Sequence, residues 1–289
     1  MNGFMVFTRK EAREILRTWR IWVLPGILVF FALIGPVLAR FTPEIVGAVA
    51  GNQLGGFTLP TPTYLDAYAQ WIKNLSQIGL FALIIVYAGV VSAESKSGTA
   101  ILVLTKPVSR TAFVIAKAAV HSAFLAVLLA VGTAVTWALT AAVFGTAPGS
   151  ALWCAALAWL VLGVLFIAVM TLLSVVIGSA AGAAGAGLGA YALLSIAGIW
   201  KPLGTHSPAA LTTMPTALAA GKEAAVLWPV LTSLLLAVAL VALAARVFRG
   251  KDLYRLPRTG VCEAGHGLGA VRDRPRGRLL PQGRTGPKR

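Results

Sequence analysis

The chain has 289 residues, 58% hydrophobic and 12% charged, with a mean hydropathy of +0.82 and a formal net charge of +16 at pH 7. A soluble domain of this length has no way to hide that much apolar surface, so a water-soluble globular enzyme is excluded. What remains is an all-α polytopic membrane protein, because only helices and closed barrels satisfy their backbone in lipid.

Residues 1–21 read as an amphipathic interfacial helix. At 100° per residue, Phe4, Ala12, Ile15, Leu16, Trp19 and Trp22 share one side, and Arg9, Lys10, Arg13, Arg17 and Arg20 share another. Such a helix lies in the headgroup layer, as a topology signal and lipid anchor or as an elbow that also touches a partner.

A spanning helix needs about 20 mainly apolar residues. Six runs qualify within a membrane domain of residues 22–248: Trp22 to Leu38, Leu75 to Val91, Ala118 to Val143, Leu152 to Ile177, Ala186 to Ile199, and Ala224 to Val247. The first reads as a retained span, because Leu38-Ala39-Arg40 is a poor signal-peptide cleavage site. Between the first two spans, Tyr64, Tyr68 and Trp71 at helical spacing predict an aromatic interfacial helix.

Positive residues accumulate before the first span and in the connection at 93–117, which contains Lys96, Lys106, Arg110 and Lys117. Cytoplasmic loops retain such residues, so both termini and that loop are expected in the cytoplasm. Within the loop, Ile101, Leu102 and Leu104 predict a short sticky helix that Pro107 ends. Ser109 suits the N-cap of a third helix, which is long enough to protrude and to carry Arg110 and Lys117 on one face. Glu94 stands at the negative end of a helix dipole and needs a cation from Lys96, Lys106, Arg110 or the basic N-terminal helix. The pair is either a surface ion pair or a gate.

Further along, Thr133, Thr136, Trp137 and Thr140 form a stripe that faces a substrate path or bonds neighbouring helices. Gly178, Gly182, Gly185 and Gly189 have spacings that let helices approach closely, and a tight turn explains the first two as well. The segment Lys201 to Glu223, with Pro202, Pro208 and Pro215, joins the last two spans. From Arg246 onward twelve Lys or Arg face three acidic residues, so residues 249–289 read as a basic, disordered cytoplasmic tail drawn to anionic lipid.

The basic segment F-T-R-K-E-A-R-E-I-L-R, a first span, a long outer loop and then E-S-K-S-G-T-A-I-L-V-L-T-K-P-V-S-R-T-A-F-V-I-A-K resemble the permease subunits of ABC-2 type transporters. The resemblance runs from Phe4 to about Val247, and its specific part is confined to the N-terminal helix and the Glu94 loop. It implies an ATP-driven exporter of the bacterial plasma membrane, with this chain paired to a second permease copy or paralogue. It also implies that the loop docks on a separate cytoplasmic ATPase through Glu94, Gly98, Thr99, Lys106, Pro107, Ser109, Arg110 and Lys117. The segment 201–223 would then dip back into the membrane.

The remaining expectations are absences. No G-x-x-x-x-G-K-[ST] occurs, so ATP would be used by the partner and no cofactor is bound by this chain. His121, His206 and His266 are scattered, no catalytic motif is present, and the span interiors read as free of charge. Catalytic and metal sites are therefore expected to be none. Cys154 and Cys262 fall on opposite faces, which leaves no disulfide. Nucleic acid is not expected as a partner, since only charge argues for it. A membrane-embedded enzyme and a scaffold or assembly factor without ATP coupling are the alternatives.

Overall fold

The computed structural model describes residues 3–18, 20–50, 60–96 and 110–250. Contacts divide the chain into a compact unit, Met1–Leu253, and the segment Tyr254–Arg289, which lies outside the described residues along with the rest of the basic tail. No strand occurs among the described residues.

Helix α1 (Gly3–Arg17) precedes six helices long and apolar enough to cross a membrane. The first is α2 (Arg20–Ala50), which contains Pro25, Pro36 and Pro43. Each proline deletes one backbone hydrogen bond, which membrane helices tolerate where side chains or neighbours repair the loss. Just before Pro43, the Thr42 hydroxyl donates to the Leu38 carbonyl at 2.6 Å.

The second span is composite: α3 (Tyr64–Asn74), a π-helical turn (Leu75–Gly79), α4 (Leu80–Tyr87), a turn, and the short α5 (Ser92–Lys96). Its start is fixed by a reciprocal cap in which the Thr63 amide and hydroxyl both donate to Asp66 Oδ2, at 2.7 and 2.9 Å. Then come α6 (Arg110–Phe144), α7 (Ser150–Ile177), α8 (Ala180–Ala197) and, after α9 (Lys201–His206), a 3₁₀ turn (Pro208–Thr212) and α10 (Met214–Ala219), the final α11 (Leu227–Arg249). The six expected spans are thus present, with the second and third longer than their apolar runs.

Helices α6 and α7 form the spine, and α2, α3, α4 and α11 pack around them. Close approach occurs at Gly132, where a β-carbon would stand 2.8 Å from the Trp71 ring, and at Gly187, where it would collide with Met170 Sδ. The glycines singled out by spacing behave differently. Gly185 and Gly189 face open space, because α8 turns that side outward, so the packing expectation for them is corrected. Gly178 adopts a left-handed φ of 71° and ends α7, the turn role that its sequence position suggested.

One further expectation is corrected by burial. Tyr68 and Trp71 face the interior of the bundle and not its surroundings; Trp71 enters the notch left by Gly132, and its indole N–H donates to Thr133 Oγ1 at 3.4 Å. Helix α1 turns Phe7, Glu11 and Ile15 inward and leaves Leu16 exposed, and Trp22 is exposed at the start of α2. Segment 208–219 folds back onto the bundle, burying Ala209, Leu211, Met214 and Ala219, with α10 against α7 and α3.

Candidate functional site: a charge clasp at the root of the Glu94 loop

The rotation of α1 has an electrostatic cause. Lys117 lies two turns into α6 with 0% exposure, and an ammonium in that position must be paired, because desolvation costs several kcal/mol per ion. Its Nζ donates to Glu94 Oε1 at 2.5 Å and to Glu11 Oε2 at 2.8 Å. Glu11 therefore turns inward on α1 and becomes buried at 1% exposure.

Lys10 closes the arrangement from the rim. Its Nζ stands 3.1 Å from Glu11 Oε1, 3.1 Å from Glu94 Oε1 and 2.6 Å from Glu14 Oε2, the last an i,i+4 pair on α1. Burial opposes the charged form of Lys10, but the Glu14, Glu11 and Glu94 carboxylates outweigh it and hold the ammonium above the usual lysine range. Burial likewise pushes Glu14 up, and the hydrogen bond from Lys10 with the charge of Lys117 brings it below the usual carboxylate range. Ligand oxygens of Glu11, Glu14 and Glu94 lie within 4.8 Å of one another, a spacing that suits a metal ion, and the two lysine ammoniums supply the positive charge between them.

Aromatic rings pack beside this clasp. Lys117 Nζ lies 5.1 Å over the Phe113 ring, which stacks on Phe248 at 5.6 Å and meets Phe7 edge-on at 5.7 Å. One turn deeper, His121 is buried against Tyr87 at 4.8 Å. The Lys117 ion pairs are thus held in a site of low dielectric, where charge pairs are felt most strongly.

A second tether fixes the end of the second span. The Ser174 hydroxyl of α7 accepts from the backbone N–H groups of Val91 and Ser92, each at 3.0 Å, and donates to Ser92 Oγ at 3.3 Å. Those amides open α5, where helix N–H groups have no partner of their own. Arg110 anchors the other end of the loop: its guanidinium donates to the Arg249 carbonyl at 3.2 Å, at the C-terminus of α11 where a cation suits the helix dipole.

Of the predicted coupling residues, the structure brings together Glu94 and Lys117 and sets Arg110 against α11. Gly98, Thr99, Lys106, Pro107 and Ser109 lie outside the described residues. On the α6 face that also carries Arg110, Lys117 is covered by α1 and paired with two buried carboxylates. The cation for Glu94 does come in part from the N-terminal helix, through Lys10. Glu11, Glu14 and Ser174 were not singled out, although the i,i+4 spacing of Lys10 and Glu14 was visible.

The threonine stripe is built into the bundle. Thr133, Thr136 and Thr140 are fully buried; Thr136 donates to the Gly132 carbonyl and Thr140 to that of Thr136, while Thr133 accepts from Trp71. Trp137 is exposed and donates to the Ala147 carbonyl at 2.7 Å. Cys154 is exposed at the start of α7.

Fold and site together define a multi-pass, all-helical membrane protein with a buried ion-pair cluster at one end of its bundle. The chain belongs to the family described as a protein of unknown function, DUF2705, whose profile matches residues 53–254. The matched region includes Glu94, Arg110, Lys117, Ser174 and Arg249. No curated protein matches the chain.

Proposed function

We propose that the chain is the membrane-spanning permease subunit of an ATP-driven ABC-2 type exporter of the bacterial plasma membrane, coupled to a separate cytoplasmic ATPase and paired with a second permease subunit. The observation that carries the reading is the clasp. Glu94 and Lys117, on either side of the loop at 97–109, bond each other, and both bond the interfacial helix α1. A push on that loop is delivered to the second and third spans at once, with α1 as the brace. Ser174 and Arg110 extend the same linkage to α7 and α11. The bias of Lys and Arg toward this end of the bundle supports its assignment to the cytoplasm, with both termini there. ATP is used by the partner, and membrane lipid surrounds the remaining faces.

The test is a pull-down of the full chain from its native membrane with ATPase activity assayed on what co-purifies. Recovery of a nucleotide-binding subunit, lost when Arg110 is changed to Glu, supports the reading. A chain that purifies with no ATPase contradicts it and turns attention to a membrane enzyme or scaffold.

A further inference from the structure

One face of the second span changes character along its length. From Tyr64 toward Glu94, the residues turned away from the bundle include Asp66, Gln70, Lys73, Gln77, Phe81 and Ile85, all exposed except half-buried Gln70. Steps of four residues drift by about 40° each around a regular α-helix, which would carry Phe81 and Ile85 off the side of Asp66. The π turn at Leu75–Gly79 takes more residues per turn and rotates the helix back, so the six side chains share one face.

The half nearer Tyr64 lines a pocket of about 420 Å³ against the end of α2, where Thr42, Thr61, Asp66, Gln70, Lys73 and Thr216 stand among prolines and alanines. The other half lines an apolar groove of about 560 Å³ against α8, formed by Phe81, Ile85, Leu188, Tyr191 and Ile196 among others. Tyr191 ties the two elements at the π turn by donating to the Ser76 carbonyl at 3.4 Å.

We propose that this face binds a zwitterionic phospholipid carrying a primary ammonium, with its headgroup in the pocket and an acyl chain in the groove. The charges fit in order. Lys73 makes no ion pair among the described residues and stands where the phosphate would lie. Asp66 uses Oδ2 for its helix cap, which leaves Oδ1 to accept from the ammonium one headgroup further out. A primary ammonium also has N–H groups to give the Thr42, Thr61 and Thr216 hydroxyls; a trimethylammonium has none. Gln77, one turn below Lys73, is an exposed amide within an apolar span, a costly placement unless it is paired. The ester carbonyls of the same lipid, one glycerol below the phosphate, are acceptors at that depth.

The dimensions agree. Lys73 to Ile85 covers about 18 Å at 1.5 Å per residue, close to half of the roughly 30 Å hydrocarbon core. A second copy of the chain fits poorly, because a two-fold axis along the membrane normal would set Lys73 against Lys73 and Asp66 against Asp66. The proposal does not depend on the permease reading, since it concerns the face of the bundle remote from the clasp.

Native mass spectrometry of the full chain, released from micelles doped equally with phosphatidylethanolamine, phosphatidylcholine and phosphatidylglycerol of the same acyl chains, tests it. The expected result is a preference of about tenfold for the ethanolamine lipid, whose retention Lys73→Glu lowers about tenfold and Lys73→Arg preserves at unchanged melting temperature. Equal retention of the three lipids by the unaltered chain, or undiminished retention of the ethanolamine lipid by Lys73→Glu, overturns the proposal. Disulfide cross-linking of a Lys73→Cys variant to a second copy also overturns it, by assigning the face to an interface. If Lys73→Glu yields no folded protein, the preference of the unaltered chain among the three lipids decides alone.

Discussion

Lys117 is the residue on which the clasp turns. Replacing it with Met keeps the length of the side chain and leaves two buried carboxylates with only the rim lysine Lys10, a loss of up to about 3–5 kcal/mol for a broken buried pair. We expect Lys117→Met to lower the melting temperature sharply, and the triple change Lys117→Met, Glu11→Gln, Glu94→Gln to recover much of the loss, since it removes the stranded charges with their partner. A triple variant no more stable than the single one would show that the ions are not the source of the effect. The pH dependence has a definite sign. Glu14 is held below its ordinary value of 4.5, so its contribution is fully present above that value and is lost as pH falls through the folded pKa. Lys10 is held above its ordinary 10.5, so its contribution is present below that value and is lost only as pH rises beyond it. Thermal unfolding measured against pH should therefore show a plateau through neutrality with a fall on the acid side.

Helix pairs in this bundle depend on small groups at their contacts. Gly132→Ala forces a methyl against the Trp71 ring at 2.8 Å, and that ring is held by its bond to Thr133. Gly163→Ala meets Leu125 Cδ2 at 2.6 Å, the free end of a side chain able to change rotamer. The first change should destabilise by about 1–3 kcal/mol and the second by clearly less, read from paired melting curves. Ser174→Ala removes the acceptor of two amide N–H groups at the end of the second span, a cost of about 1–3 kcal/mol for unsatisfied buried donors. Hydrogen exchange at Val91 and Ser92 should then accelerate while the core of α7 stays protected; unchanged exchange there would mean that Ser174 does not hold the loop.

At the scale of the molecule, the six long helices were legible because lipid demands about 20 apolar residues in a row. The need of Glu94 for a cation was legible from its place at a helix C-terminus, and the N-terminal helix was among the sources considered. Glu11 was not, because hydropathic periodicity groups a glutamate with the wet face, and its partner Lys117 is 106 residues away in the chain. Trp71 was misjudged for a related reason: an aromatic residue at the head of a span reads as a belt until the notch at Gly132 is seen beside it. The π turn left no trace in the pattern, since one extra residue in a turn leaves the composition unchanged. Tertiary contact decided each of these, and local propensity decided the spans.

In the proposed permease the clasp transmits the action of an ATPase. The decisive variant is Glu94→Gln, which keeps the shape of the side chain and removes its charge. The measurement is ATP hydrolysis by the complex in lipid vesicles, compared with the isolated ATPase subunit. We expect the altered chain to assemble with the ATPase in the usual amount and to lose most of the rate that the unaltered chain confers. Full stimulation by the Glu94→Gln chain would contradict the account.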